Sequence, residues 1–276
     1  MPELPEVRTL INNLKKNHVI GKKIVDVNYI DSKVLKNSNK VSFSKFVINE
    51  TIKDIDQIGK LIIITLSHDK YLTIHLRMEG KLFFVDSKNK PTPFTMVELI
   101  CGDKKLIYED FRKFGTFYIY KDKQSLEESE EVKKLGYQPW DKKLTADYLL
   151  EQFKNKSTAI KTALLDQSII AGIGNIYSDE ICFACKINPK RPAKLVSKTE
   201  CENIIKSCRK IMTSAINHYG TTVFTYKFAP NHSGSFQKHL MVYSREGQKC
   251  KVCGSTIKKI KLNGRGTSYC PKCQAK

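Results

Sequence analysis

Two hydrophobic periods run along this chain, and the change from one to the other divides it. Near the start, Val7, Leu10, Ile11 and Leu14 fall at i, i+3, i+4 and i+7 behind Pro5, which predicts an amphipathic helix with proline in its first turn. The period then shortens. Residues 60–66 form an apolar, β-branched run and His68-Asp69-Lys70 a turn. Residues 71–77 alternate, with Leu72, Ile74 and Leu76 on one face and Thr73, His75 and Arg77 on the other. Further strands are expected at 81–85, 95–101, 104–110 and 115–120, and short strands in such succession predict a sandwich or barrel.

An acidic run, Glu127, Glu128, Glu130 and Glu131, leads into Leu135-Gly136-Tyr137-Gln138-Pro139, whose glycine and proline mark a linker. Helical spacing follows. Residues 158–185 read as helix, turn, helix, with the turn at Ala171-Gly172-Ile173-Gly174-Asn175 and Asn175 as the cap of the second helix. Ile204, Ile205, Cys208, Ile211, Met212, Ala215 and Ile216 make one stripe on a longer helix. Residues 221–240, with Gly, Pro, Asn, His and Ser, read as a loop. The segment 245–276 is short, basic and holds four cysteines. The expected divisions are 1–132, a linker at 133–145, a helical region with the loop at 146–240, and the cysteine segment at 241–276.

Composition narrows the function. Hydrophobic residues are 41% of 276, enough for packed cores, while 48 Lys and Arg against 28 Asp and Glu leave a net charge of +20. A surplus of that size suits a polyanion, because each phosphate neutralised releases counterions. A lysine-rich but merely soluble surface is the plainer alternative. Residues 1–8 lack the apolar core of a secretory signal, and no apolar run approaches the ~20 residues of a membrane span. A cytosolic location is therefore expected, with the nine cysteines as thiols or metal ligands rather than disulfides.

The sharpest local signal is Cys250-x2-Cys253-x16-Cys270-x2-Cys273. Two such knuckles match a structural zinc site, and four thiolates leave no open position for activating water. So small a segment needs a metal staple in place of a core. Between the knuckles, Asn263-Gly264 predicts a hairpin turn that puts Arg265 near the tip of a basic finger, within reach of phosphates or simply in solvent. Cys182-x2-Cys185 has the same spacing but lies on a helix among Ile181, Phe183 and Ala184 with no partner pair, so buried thiols are expected. Cys101, Cys201 and Cys208 take no role.

The N-terminus carries a second signal. Loss of Met1 would expose Pro2 as a secondary amine beside Glu3 and Glu6. An α-amine titrates near 7.7–8, roughly two units below lysine, so part of it is unprotonated at neutral pH and able to form an iminium with a sugar aldehyde carbon. A neighbouring carboxylate could move protons to the ring oxygen. Taken alone, the segment reads as an ordinary chain end.

Taken together, Met-Pro-Glu-Leu-Pro-Glu-Val at the start, His75-Leu-Arg-Met-Glu-Gly80, Asp110-Phe-Arg-Lys-Phe-Gly115, Ala171-Gly-Ile-Gly-Asn-Ile-Tyr177 and the cysteine finger resemble bacterial formamidopyrimidine-DNA glycosylase, in order and spacing, from Pro2 to Gln274. The resemblance implies an α+β multidomain chain: an N-terminal β-sandwich with its flanking helix, a helix-two-turn-helix domain and a C-terminal four-cysteine zinc finger. It implies a monomeric base-excision repair enzyme that removes 8-oxoguanine and formamidopyrimidines from double-stranded DNA and cuts the strand by β- and δ-elimination.

The same resemblance assigns roles. Pro2 matches the nucleophile, Glu3 the acid and base that opens the sugar, Glu6 a carboxylate near the extruded nucleotide, and Lys60 a catalytic lysine that contacts phosphate. Met78, Arg112 and Phe114 match a wedge that fills the gap left by base flipping and meets the orphaned base. His75, Asn175, Tyr243 and Arg265 match groups that grip phosphates, and residues 221–237 a segment that closes over the oxidised base. Arg8 departs from the glutamate usual there. An endonuclease VIII-type enzyme acting on oxidised pyrimidines would share this plan, but that group begins Pro-Glu-Gly-Pro where this chain has Leu4. A non-catalytic zinc-ribbon protein would explain the charge and cysteines without needing Pro2, Glu3 or Lys60.

Overall fold

The computed structural model describes residues 1–222, 227–230 and 232–275. They form two compact units: Met1–Lys133 with His218–Ser235, and Lys134–Asn217 with Phe236–Lys276.

The first unit opens with α1 (Leu4–Lys16), β1 (Asp26–Ile30) and α2 (Lys40–Val47). Seven strands follow: β2 (Ile52–Ile58), β3 (Leu61–Leu66), β4 (Tyr71–His75), β5 (Lys81–Asp86), β6 (Thr95–Cys101), β7 (Lys104–Glu109) and β8 (Thr116–Tyr120), closed by the short α3 (Lys123–Glu127). They pair into two four-stranded sheets ordered β1-β6-β7-β5 and β2-β3-β4-β8. Every pairing is antiparallel. Ile62, Ile64, Leu72, Ile74 and Phe117 of one sheet share a core with Leu82, Leu99, Leu106 and Tyr108 of the other. Tyr108 meets Phe117 edge-on at 5.0 Å between centroids, and α1 contributes Val7, Leu10, Ile11 and Leu14. This is the expected sandwich with its flanking helix.

Leu72, Ile74 and Leu76 face the core as their alternation requires. Thr73, on the opposite face, is also buried, because its hydroxyl donates to Glu131 at 3.0 Å. The strand stops at His75 rather than Arg77, since Arg77 takes a left-handed φ of 54°. Lys60 likewise lies in the two-residue turn before β3, not in the strand, with Gly59 at φ 58°.

The second unit contains α4 (Ala146–Phe153), α5 (Ile160–Leu165), α6 (Asn175–Ala184), α7 (Lys198–Asn217) and the hairpin β9 (Lys258–Leu262) and β10 (Arg265–Tyr269). Helix α7 packs on α4 and α6, while α6 touches α5 and β10. The buried stripe of α7 is Cys201, Ile204, Ile205, Cys208, Met212 and Ala215, with Ile211 and Ile216 half-buried beside it. Cys182 is buried as expected, and burial pushes its thiol well up; Cys185 is half-buried and raised for the same reason. Burial also raises Cys101 and Cys201, each to about 11, and lifts Cys208 further. Among the described residues no helix is long and apolar enough to cross a membrane.

Candidate active site and DNA-facing elements

The first turn of α1 gathers the N-terminal groups. Glu3 is its N-cap in extended conformation, and Pro5 fits the first turn because it has no amide to satisfy. The Glu3 amide donates to Glu6 Oε2 at 2.8 Å, and Glu6 Oε1 accepts from the Thr221 amide at 2.8 Å. Pro2, Glu3 and Glu6 are all buried. Gln57 of β2 reaches over with its side-chain amide, donating to the Gly59 carbonyl at 2.6 Å and the Leu4 carbonyl at 3.2 Å. That ties the turn bearing Lys60 to the start of α1. Burial lowers the terminal amine of Met1; Glu3 and Glu6 oppose this, Lys60 adds to it, and Glu79 acts weakly upward. Glu3, Glu6 and Lys60 thus all act on the one terminal amine. Arg8 does not join them; it pairs with Asp56 at 2.9 Å.

His75 ends β4 half-buried, with Nδ1 accepting the Arg77 amide at 3.0 Å. Burial, aided by the charges of Arg77 and Lys60, brings its pKa down to about 3. The ring is therefore neutral at ordinary pH with its proton on Nε2, a hydrogen-bond donor without charge.

Two turns hold the candidate wedge. Met78 is 42% exposed in the turn after β4, and Phe114 is 52% exposed after β7, with Arg112 stacked over the Phe114 ring at 4.7 Å. The organising residue is Asp110, 1% exposed. Its carboxylate accepts the amides of Arg112 at 3.0 Å, Phe114 at 2.9 Å and Gly115 at 2.8 Å, together with the Tyr108 hydroxyl at 3.1 Å. A Cβ at Gly80 would fall 2.5 Å from that hydroxyl and one at Gly115 would overlap it, so both glycines are needed for the turns to close on Tyr108. Residues 223–226 and 231 of the segment expected to close over a base lie outside the described residues.

In the second unit, the N-cap of α6 is Gly174, and Asn175 is the first helical residue rather than the cap. The helix begins one residue early because Gly174 supplies the extended conformation that a cap needs. Asn175 Oδ1 is buried without a protein hydrogen bond. Tyr243 sits in a turn held by one carboxylate: Glu180 of α6 accepts the amides of Met241, Val242 and Tyr243, each at 2.9 Å. Arg265 is exposed at the start of β10, beside Asn263 and Gly264 at φ 44° and 77°, the two-residue turn that the dipeptide predicts. Behind it, Lys161 of α5 and Asp179 of α6 form a buried pair at 2.7 Å. Lys161 also donates to the Gly266 carbonyl at 2.8 Å, and Asp179 accepts the Ser268 amide at 2.8 Å.

The four cysteines come together. Cys253 and Cys270 sulfurs lie 3.4 Å apart, Cys250 and Cys273 3.9 Å, and all four within 4.8 Å. A tetrahedral zinc with bonds of about 2.3 Å sets sulfur–sulfur edges near about 3.8 Å. The donor set fits one structural zinc ion, and the cysteines share a small core with Phe183, Val242 and Ile257.

Sequence reasoning did not single out Gln57, Asp110, Lys161, Asp179 or Glu180. Only Asp110 carried a local signal, an aspartate ahead of a glycine-ended turn; the others act through contacts far away in the chain.

Three family models match the chain: the formamidopyrimidine-DNA glycosylase N-terminal domain over residues 1–117, the formamidopyrimidine-DNA glycosylase H2TH domain over 135–227, and a zinc finger found in FPG and IleRS over 247–276. The formamidopyrimidine-DNA glycosylase of Ureaplasma parvum is 44% identical, covering 99% of this chain and 100% of that protein. That of an Exiguobacterium species is 38% identical, covering 99% of each. Among solved structures, a Lactococcus lactis FPG mutant in complex with Fapy-dG containing DNA superposes with a TM-score of 0.93 at 33% identity over 100% of both chains. The complex of Lactococcus lactis Fpg with abasic-site DNA gives 0.92 at 31%, covering 99% of this chain and 100% of that one.

Proposed function

The chain belongs to the formamidopyrimidine-DNA glycosylase family, and from that premise we propose that it excises 8-oxoguanine and formamidopyrimidines from duplex DNA and then cleaves the strand, with Pro2 as nucleophile. The observation that carries this reading is the gathering of Glu3, Glu6 and Lys60 around the terminal amine. Loss of Met1 moves that amine to Pro2, where the same burial favours the unprotonated form.

The Pro2 nitrogen donates its lone pair to C1′ of the flipped nucleotide, and the base departs with the electrons of the glycosidic bond. Glu3 protonates the sugar ring oxygen as the ring opens, leaving an iminium between Pro2 and C1′. Removal of a C2′ proton expels the 3′ phosphate, and a second elimination expels the 5′ phosphate. Lys60 and the neutral His75 bind phosphate oxygens, one by charge and one by an N–H donor. Asn175, Tyr243 and Arg265 also bind phosphate oxygens, Asn175 at the amide-rich start of α6. Met78 and Phe114 fill the vacated stack while Arg112 meets the orphaned base.

The test is covalent trapping. Purified protein is incubated with a duplex carrying one 8-oxoguanine opposite cytosine, borohydride is added, and the adduct is mapped by mass spectrometry. An adduct on Pro2 is expected. No adduct on 8-oxoguanine duplex but one on thymine glycol would move the substrate to oxidised pyrimidines. An adduct on Lys60 instead would overturn the assigned nucleophile.

A further inference from the structure

Next to the wedge, two large apolar side chains face solvent and each other. Phe111 is 66% exposed and Phe94 45%, and their rings meet edge-on, 5.2 Å apart at 76°. The platform beneath them is rigid. The Asp110 amide donates to the Phe94 carbonyl at 2.9 Å, so the residue that fixes Arg112 and Phe114 also fixes Phe94. On the other side of Phe94, Thr92 donates to Glu109 at 2.7 Å, and Pro91 and Pro93 restrict the backbone. Two phenyl rings on so anchored a loop are preorganised for a flat partner, since little side-chain freedom is left to lose on contact.

We propose that Phe111, backed by Phe94, is an aromatic shelf that stacks on a base of the undamaged strand adjoining the lesion. The proposal rests on the reading of Met78, Arg112 and Phe114 as the wedge. Phe111 immediately precedes Arg112, the residue assigned to the orphaned base, so the neighbouring base of that same strand is the flat surface within reach. Nearby charge agrees: Lys88 and Lys90 are exposed in the loop leading to Phe94, while the acidic neighbour Glu109 is engaged by Thr92. Aromatic faces among cations suit nucleic acid, where every base has a π-face and every linkage a charge. Phe111 is a positioning residue under this assignment: it steadies the opened duplex and touches no reacting atom.

The experiment uses the full-length protein and a duplex with a tetrahydrofuran abasic analogue opposite cytosine. A 2-aminopurine is placed on the undamaged strand beside that cytosine. Wild type should change the 2-aminopurine fluorescence on binding. Phe111→Ala should lose that change and weaken binding about ten-fold, with Phe94→Ala intermediate and Phe111→Trp restoring both. Because Phe111 is exposed, unchanged melting temperatures should show that the variants fold. Unaltered affinity and fluorescence in Phe111→Ala would overturn the shelf. So would an equal loss of affinity on undamaged duplex with the fluorescence change retained. A wild-type protein that gives the fluorescence change yet releases no 8-oxoguanine would leave the shelf standing and remove the proposed substrate.

Discussion

The Tyr108 hydroxyl donates to the Asp110 carboxylate at 3.1 Å, and around that one bond close the two turns that carry Met78, Arg112 and Phe114. Replacing Asp110 by Ala strands three backbone amides and the hydroxyl, each costing about 1–3 kcal/mol if it stays unsatisfied. The turn will reorganise rather than accept that. Asp110→Ala should lose most of its affinity for abasic-analogue duplex while keeping a cooperative thermal transition, read by gel shift and calorimetry. Wild-type affinity in this variant would show that the wedge turns do not need their anchor.

Glu3 tests the chemistry separately from binding. Glu3→Gln keeps the shape of the buried side chain but cannot exchange a proton at neutral pH. Excision of 8-oxoguanine should fall about 10²–10⁴-fold, the span of general acid–base catalysis, with Kd for abasic-analogue duplex changed little. Single-turnover kinetics beside a binding isotherm separate the two effects.

Acid should destabilise the first unit in two steps. His75 titrates at about 3 when folded against 6.5 ordinarily, so the unfolded chain binds the extra proton between those values and stability rises with pH across that window. Burial raises the carboxyl of Glu50, but hydrogen bonds from Lys70, Ser67 and His68 outweigh it and bring it down to about 2 from 4.5. Its contribution has the same sign and is lost as pH falls from about 4.5 towards 2. Urea midpoints measured from pH 7 to 4 should drop in wild type and flatten in His75→Gln. An equally steep profile in that variant would mean His75 is not buried neutral.

The zinc finger should fail as a unit. Cys270→Ser, or a strong chelator, should reduce zinc from one ion per chain towards none and abolish the hairpin that presents Arg265, measured by metal analysis and circular dichroism. Arg265→Ala should keep its zinc, weaken DNA binding, and lower the slope of log K against log salt by about one.

Lys161 supports that hairpin from beneath. Lys161→Met leaves Asp179 as an uncompensated buried carboxylate and should cost about 3–5 kcal/mol of stability. The double variant Lys161→Met, Asp179→Leu should recover much of it. A single variant as stable as wild type would show the pair to be dispensable.

The core strands from β3 to β8 were legible because short apolar or alternating runs are bounded by turn residues, and α1 because its stripe has no competing period. Strands β1 and β2 escaped for a physical reason. Register shifts between Val27 and Tyr29, and between Ile52 and Asp54, break the two-residue period, so Ile52, Ile55 and Ile58 stand three apart. Helix α2 buries only Phe43 and Val47, too few to make a stripe. In the site, the N-terminal cluster and the cysteines were readable because their chemistry lies in short motifs. The anchors were not, since the contact of Glu6 with Thr221 spans 215 residues and that of Lys161 with Thr267 spans 106. The extended conformation at Gly174 likewise belongs to the fold, which is why the cap fell one residue before Asn175.

The five cysteines outside the finger share one condition: burial raises each thiol above its ordinary titration range and so favours the protonated form. The thiolate, not the thiol, is the nucleophile that attacks a peroxide. Damage to bases rises when oxidants are abundant, and here burial in the sandwich core for Cys101, and in the helical unit for the other four, keeps those sulfurs unreactive toward them. Cysteine oxidation, when it comes, should therefore begin at the four sulfurs of the finger rather than at these five.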